Sequence, residues 1–186
     1  MAMTSETILS HLKRLGDMFE YPEEVELLLI GGAAGILTKQ LNSTRATMDC
    51  DVIRIVPSQA EQAILQAART LAEEQGLPEP WLNLQAKPLD ILPDGWQVRK
   101  VHIGSWGKLH VCALSRRDLL ATKFYAGSPR DVQDISDMNP TAEELAFVRT
   151  YLDMLRVPSR QAHLDQLARS ENLLAAWGGE ADGSAE

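Results

Sequence analysis

The chain has 186 residues, 45% of them hydrophobic and 24% charged, which is enough for one domain with a sizeable core and a few added helices. Its net charge of -8 at pH 7 excludes a surface that grips nucleic acid broadly, because such binding rests on many Lys and Arg contacts to phosphate, so any such contact is local. No apolar run approaches a membrane span, the start Met-Ala-Met-Thr-Ser-Glu lacks the basic and apolar regions of a secretory signal, and Cys50 and Cys112 lie in apolar stretches without a framework spacing; the expectation is a cytoplasmic protein with buried free thiols.

Ile8, Leu9, Leu12, Leu15, Met18 and Phe19 recur at three- and four-residue steps, which predicts an amphipathic helix over about 5–20, ended by Tyr21-Pro22. Glu23 to Ile30 grows steadily more apolar and reads as a strand buried on both faces, closed by Gly31-Gly32. Residues 33–42 read as a short helix and 49–56 as a second strand. Pro57-Ser58 opens a helix through Gln75, stopped by Gly76. A short strand is expected at Trp81-Leu82-Asn83-Leu84 and a turn at Asp94-Gly95. Gln97 to Ile103 and Lys108 to Leu114, separated by Gly104 to Gly107, read as a β-hairpin. Capping patterns then start helices at Ser115, Pro129 and Thr141, and Pro158-Ser159 precedes a last helix ending near Trp177. The fold class expected is α/β (α+β): a mixed-sheet core with flanking helices and a helical C-terminal extension. We expect one domain over 1–177, with a core at about 23–138, C-terminal helices at 141–177 and a disordered tail at 178–186.

The chemistry concentrates in Gly31-Gly32 and in Arg45-Ala46-Thr47-Met48-Asp49-Cys50-Asp51. In an extended chain side chains alternate, so Asp49 and Asp51 project the same way and Cys50 the other. Two carboxylates on one small patch repel unless a cation sits between them, and paired carboxylates are what Mg²⁺ uses to meet phosphate. The glycines either let a phosphate approach the N–H groups of a helix start, or simply make a tight strand-to-helix turn. A second cluster is Lys123 on one helix with Arg130-Asp131-Val132-Gln133-Asp134 after it. Lysine there is a compact cation for phosphate; the other reading is that Asp131 and Asp134 serve the helix dipole of their own first turn. The four histidines have no ligand spacing and read as structural.

Gly-Gly followed by Arg-x-Thr-x-Asp-x-Asp resembles the first motif of the polymerase-β-like nucleotidyltransferase superfamily, and with Lys123 and Arg130-Asp131-x-x-Asp134 it looks like the AbiEii-like branch, in which toxins of toxin–antitoxin pairs occur. The resemblance covers roughly Glu26 to Asp137. It implies a Mg²⁺-dependent transfer of a nucleoside monophosphate from an NTP to a hydroxyl, on an RNA such as a tRNA 3′ end or on a protein, and an antitoxin protein as a further partner. By the same resemblance Asp49, Asp51 and Asp131 are catalytic, Asp49 and Asp51 hold the metal, and Gly31, Gly32, Arg45, Thr47, Lys123 and Arg130 bind nucleotide. Relatives usually add a third carboxylate from a neighbouring strand. Here the corresponding place is near Asn83, with Asp90 the nearest acid after it.

That departure keeps a second function open, a nucleotidyltransferase-fold module that binds nucleotide or a partner without transfer. A third is an interaction domain in which the stripe Leu145, Val148, Leu152 and Leu155 pairs with another chain, the alternative being that the stripe is core. Arg99-Lys100 and Arg116-Arg117 are the basic clusters available to RNA, or solvated element ends.

Overall fold

The computed structural model describes residues 2–42, 44–87, 91–156 and 161–180. Two compact units emerge: 1–90 with 97–115, and 91–96 with 116–186.

The first unit is built on a mixed five-stranded sheet in the order β3-β2-β1-β5-β4. Its strands are β1 (Val25–Ile30), β2 (Cys50–Val56), β3 (Leu82–Asn83), β4 (Val101–Trp106) and β5 (Leu109–Ala113). β1 is central, antiparallel to β2 and parallel to β5, which explains its unbroken apolar run. Val25, Leu27, Leu28 and Leu29 are 0–1% exposed, and burying each contributes about 1.5–3 kcal/mol. Helices α1 (Ser5–Met18), α2 (Gly31–Leu37) and α3 (Glu61–Gln75) accompany this sheet. In α1 the periodic positions Ile8, Leu12 and Leu15 are buried, and a reciprocal Thr4/Thr7 cap starts the helix. A single 3₁₀ turn, Ser58–Ala60, precedes α3, and Gly76 ends α3 in the left-handed conformation. Both cysteines are free and buried.

Two readings of this unit need correction. The helix expected at 33–42 begins at Gly31 and ends at Leu37. The hairpin is present, but its turn is Gly107-Lys108 and β4 runs through Gly104. Gly104 is small because a Cβ there would lie 2.6 Å from the Trp106 ring, so an indole, not a turn, accounts for that glycine. Residues 97–99 belong to a short helix, α4 (Trp96–Arg99), and Val98 is 89% exposed; its alternation with neighbours carried no burial.

The second unit is helical: α5 (Arg116–Ala126), α6 (Pro129–Met138), α7 (Ala142–Met154) and α8 (Gln161–Glu180). Ser128 with Asp131 caps α6, and Thr141 with Glu144 caps α7, each reciprocally. The stripe on α7 is core, since Leu145, Val148 and Leu152 are 9%, 0% and 1% exposed, and α7 packs on α5 and α8. It is therefore not a face for another chain. The last helix continues to Glu180, three residues into the expected tail, and the Pro158-Ser159 break and residues 181–186 lie outside the described residues. Among the described residues no helix is long and apolar enough to cross a membrane.

The basic clusters are engaged within their own units. Lys100 pairs with Glu26, Arg117 with Glu143, and Arg116 donates from Nε and Nη2 to both oxygens of Glu144 at 2.6 and 3.2 Å. The Arg116 guanidinium is the main cause holding the Glu144 carboxyl below its ordinary range, with the Thr141 backbone amide also contributing. A carboxyl with a lowered folded value stabilises above the unfolded value, about 4.3, and loses that contribution as pH falls through the folded value. Glu144→Gln is expected to lower stability by about 1 kcal/mol at pH 7, with the gap to wild type closing below about pH 4; urea melts across pH would check it.

Candidate active site

β1 runs directly into Gly31, whose φ of +69° lies in the left-handed region open to glycine. The turn delivers the start of α2 against the first residues of β2, because Ile30 pairs in register with Asp51. A Cβ on Gly31 would stand 2.8 Å from Asp51 Oδ2, and one on Gly32 3.1 Å from Thr47 Oγ1 with Arg45 Nη2 at 3.9 Å. The missing side chains thus let a carboxylate, a hydroxyl and a guanidinium pack directly against the turn. Thr47 is held by mutual backbone bonds with Met3 and is 4% exposed, and its Oγ1 donates to Asp49 Oδ1 at 3.3 Å. Asp49 and Asp51 accordingly border the same glycine turn, Asp51 beside Gly31 and Asp49 through Thr47 beside Gly32.

Cys50 points the other way, as the alternation predicts, and is fully buried. Burial above all, and then the negative charges of Asp51 and Asp49, push its thiol far above the usual cysteine range, so it stays a protonated core group. Gly31→Ala combines a positive φ with a contact on Asp51. It is expected to cost at least about 1 kcal/mol and to weaken any ligand shared by Asp51 and the turn, as read by urea denaturation and by nucleotide titration.

Across the other edge of β2, Asp51 pairs in parallel register with Asn83 of β3. The neighbouring-strand position expected near Asn83 is thus directly opposite Asp51, and a neutral amide fills it. Asp90 lies outside the described residues. Among the described residues no three of His, Cys, Asp and Glu gather as a metal-binding group. The donor set is two carboxylates beside an open glycine turn, which fits Mg²⁺, an ion that commonly takes one or two protein carboxylates and completes its shell with water and substrate phosphate.

The second cluster lies wholly in the helical unit. Lys123, on the buried side of α5, is 3% exposed, and its Nζ donates to Asp134 Oδ2 at 2.6 Å and to Asp131 Oδ1 at 3.1 Å. The other Asp131 oxygen accepts from Ser128 Oγ at 2.6 Å and from the Ser128 amide at 3.2 Å. Arg130 is exposed on the first turn of α6. Asp134, 1% exposed, enters the sequence reading through the Arg130-Asp131-x-x-Asp134 pattern and through its place in a first helical turn, without a partner assigned. The signal for more was its spacing of three from Asp131, which puts both acids on one helix face, where a single lysine can meet them.

Neither a curated protein nor a solved structure matches the chain. One family model does, over residues 6–147, a span that contains the glycine turn, Asp49 and Asp51, and the Lys123 cluster. On that match the chain belongs to the family described as nucleotidyltransferase of unknown function (DUF6036).

Proposed function

We propose that this chain is a Mg²⁺-dependent nucleotidyltransferase of the AbiEii-like kind, moving a nucleoside monophosphate from an NTP onto a hydroxyl of an RNA, such as a tRNA 3′ end, or of a protein. The observation that carries the reading is the Asp51 carboxylate set 2.8 Å from the position a Gly31 Cβ would take, with Thr47 tying Asp49 to the same turn. Asp49 and Asp51 would hold the magnesium ion, which would supply positive charge to the phosphates and to the acceptor hydroxyl.

The residues of the chain divide the remaining work. Gly31 and Gly32 admit the triphosphate to the backbone at the head of α2, and Arg45 and Thr47 contact it. The resemblance gives Lys123 and Arg130 to the triphosphate as well, and Asp131 to the acceptor hydroxyl, whose proton it accepts as the new bond to the α-phosphorus forms and the bond to pyrophosphate breaks. Lys123 and Ser128 hold the Asp131 carboxylate from both sides, a restraint that suits a group required to keep one orientation. A toxin role, with a small antitoxin protein as partner, belongs to the same proposal.

Asn83 favours a second reading. With an amide opposite Asp51, the site has fewer negative charges to hold a second metal, and a module that binds nucleotide without transfer is consistent with that. Incubation with labelled NTPs, Mg²⁺ and total tRNA separates the two. Label on RNA or protein supports the transferase, whereas a melting temperature raised by Mg²⁺ and NTP with no label transferred supports the module. Ligand at a hundred times its Kd adds about 2.7 kcal/mol, so binding alone is visible in such a melt; no shift and no label would sink both.

A further inference from the structure

Beside β3 the first unit has a pocket of about 440 Å³ between α3 and residues 79–85. Leu65, Ala68, Ala72 and Trp81 give it mainly apolar walls, and Arg69 stands exposed at its rim. Trp81 is 1% exposed and fixed by its Nε1 donating to Ala68 O at 2.9 Å, so that wall is rigid. Asn83 also lines the pocket and is 5% exposed. Its Oδ1 accepts from the Gln85 amide at 3.0 Å, while among the described residues nothing accepts from its Nδ2. That N–H₂ is left to water, and a ligand filling the pocket would displace the water, so a ligand that offers an acceptor there binds better than one that does not.

The ligand must therefore be flat or compact and largely apolar, with an acceptor on its edge. A bare phosphate would waste the apolar walls and an acyl chain would leave the amide unmet. A nucleobase meets both demands: its faces pack on apolar walls, its edge presents ring nitrogens and carbonyl oxygens of the kind Asn recognises, and Arg69 can cover an exposed face by stacking. The position agrees. Asn83 is the register partner of Asp51, and adjacent strands lie about 4.8 Å apart, so a base held at Asn83 adjoins the carboxylate to which its phosphates or its ribose hydroxyl would be presented.

We infer that this pocket is a nucleobase site serving the Asp49/Asp51 centre, an inference that rests on the transferase reading for its use of the base. The base comes either from the NTP or from the 3′ end of an acceptor RNA, and the test tells them apart. The whole chain would be titrated with Mg²⁺-tripolyphosphate, with each NTP and Mg²⁺, and with short RNAs ending in each base. Wild type would be compared with Asn83→Ala and with Leu65→Trp, which fills the pocket from the half-buried surface of α3. The expected result is about a tenfold loss of one class of base-bearing ligand in both variants, with tripolyphosphate binding and melting temperature unchanged. Loss confined to NTP assigns the pocket to the donor base, and loss confined to RNA assigns it to the acceptor.

If Asn83→Ala does not fold, Leu65→Trp alone decides. Unchanged binding of NTP and RNA in a folded variant overturns the inference, as does a wild type that binds tripolyphosphate and NTP equally well and no RNA. Base-dependent binding that the variants lose, together with no transfer by wild type, upholds the base site and sinks the transferase reading instead.

Discussion

Asp51→Asn should abolish label transfer, by at least about a hundredfold, while leaving the melting temperature of the ligand-free protein close to that of wild type. The substitution is nearly isosteric, so the contact beside Gly31 keeps its shape and only a charge is lost. That charge is the one with two uses in the proposed site, since a divalent ion at the glycine turn needs it and the triphosphate is repelled without the ion. Removing one of two carboxylates also relieves their mutual repulsion, which limits what the lost charge costs in the absence of Mg²⁺. The diagnostic pattern is therefore unequal across the measurements: transfer gone, apo stability close to wild type, and the Mg²⁺-dependent rise in melting temperature diminished. Equal transfer by wild type and variant would remove Asp51 from the chemistry and with it the reason for reading the turn as an active site.

Much of that turn was legible in the chain, for a physical reason. A central strand buried on both faces writes itself as an uninterrupted apolar run, and the glycines after it are demanded by a positive φ at Gly31 and by close neighbours at both positions. Asp-x-Asp needs only the period of two to place its acids. The place of Asn83 came from the family resemblance, because period two within a strand does not set register between strands; its pairing with Asp51 is read from the fold. The hairpin turn was misplaced because glycine has two uses. In Gly104-Ser105-Trp106-Gly107 the residue at φ +55° is Gly107, whereas Gly104 makes room for an indole two residues on, and nothing local distinguishes them. Val98 misled for a related reason: alternation reports burial only where a sheet or helix covers one face, and this residue is almost fully exposed.

Lys123 carries the largest stability effect expected in the chain. Its ammonium and the Asp134 carboxylate are 3% and 2% exposed as side chains and 2.6 Å apart, with Asp131 at 3.1 Å and 19% exposed. Lys123→Met removes the cation and leaves Asp134 buried without it, which should cost about 3–5 kcal/mol; urea denaturation would register it as a lower midpoint. Arginine is not a substitute, because its planar fork is longer than the space a lysine fills between α5 and α6. A buried pair replaced as a whole by apolar groups is often neutral, so Lys123→Met combined with Asp134→Leu should recover part of the lost stability, Asp131 still lacking its cation. That double variant is the informative one for function. Asp131 retains its Ser128 partners in it, and the fold no longer depends on the ammonium. Transfer that falls more than about tenfold in a folded double variant means the Lys123 charge acts on substrate, directly or by orienting Asp131, a difference of about 1.4 kcal/mol or more in the barrier. Transfer that survives means the lysine's work is to join α5 to α6, and the cation for the triphosphate must then come from Arg45 or Arg130.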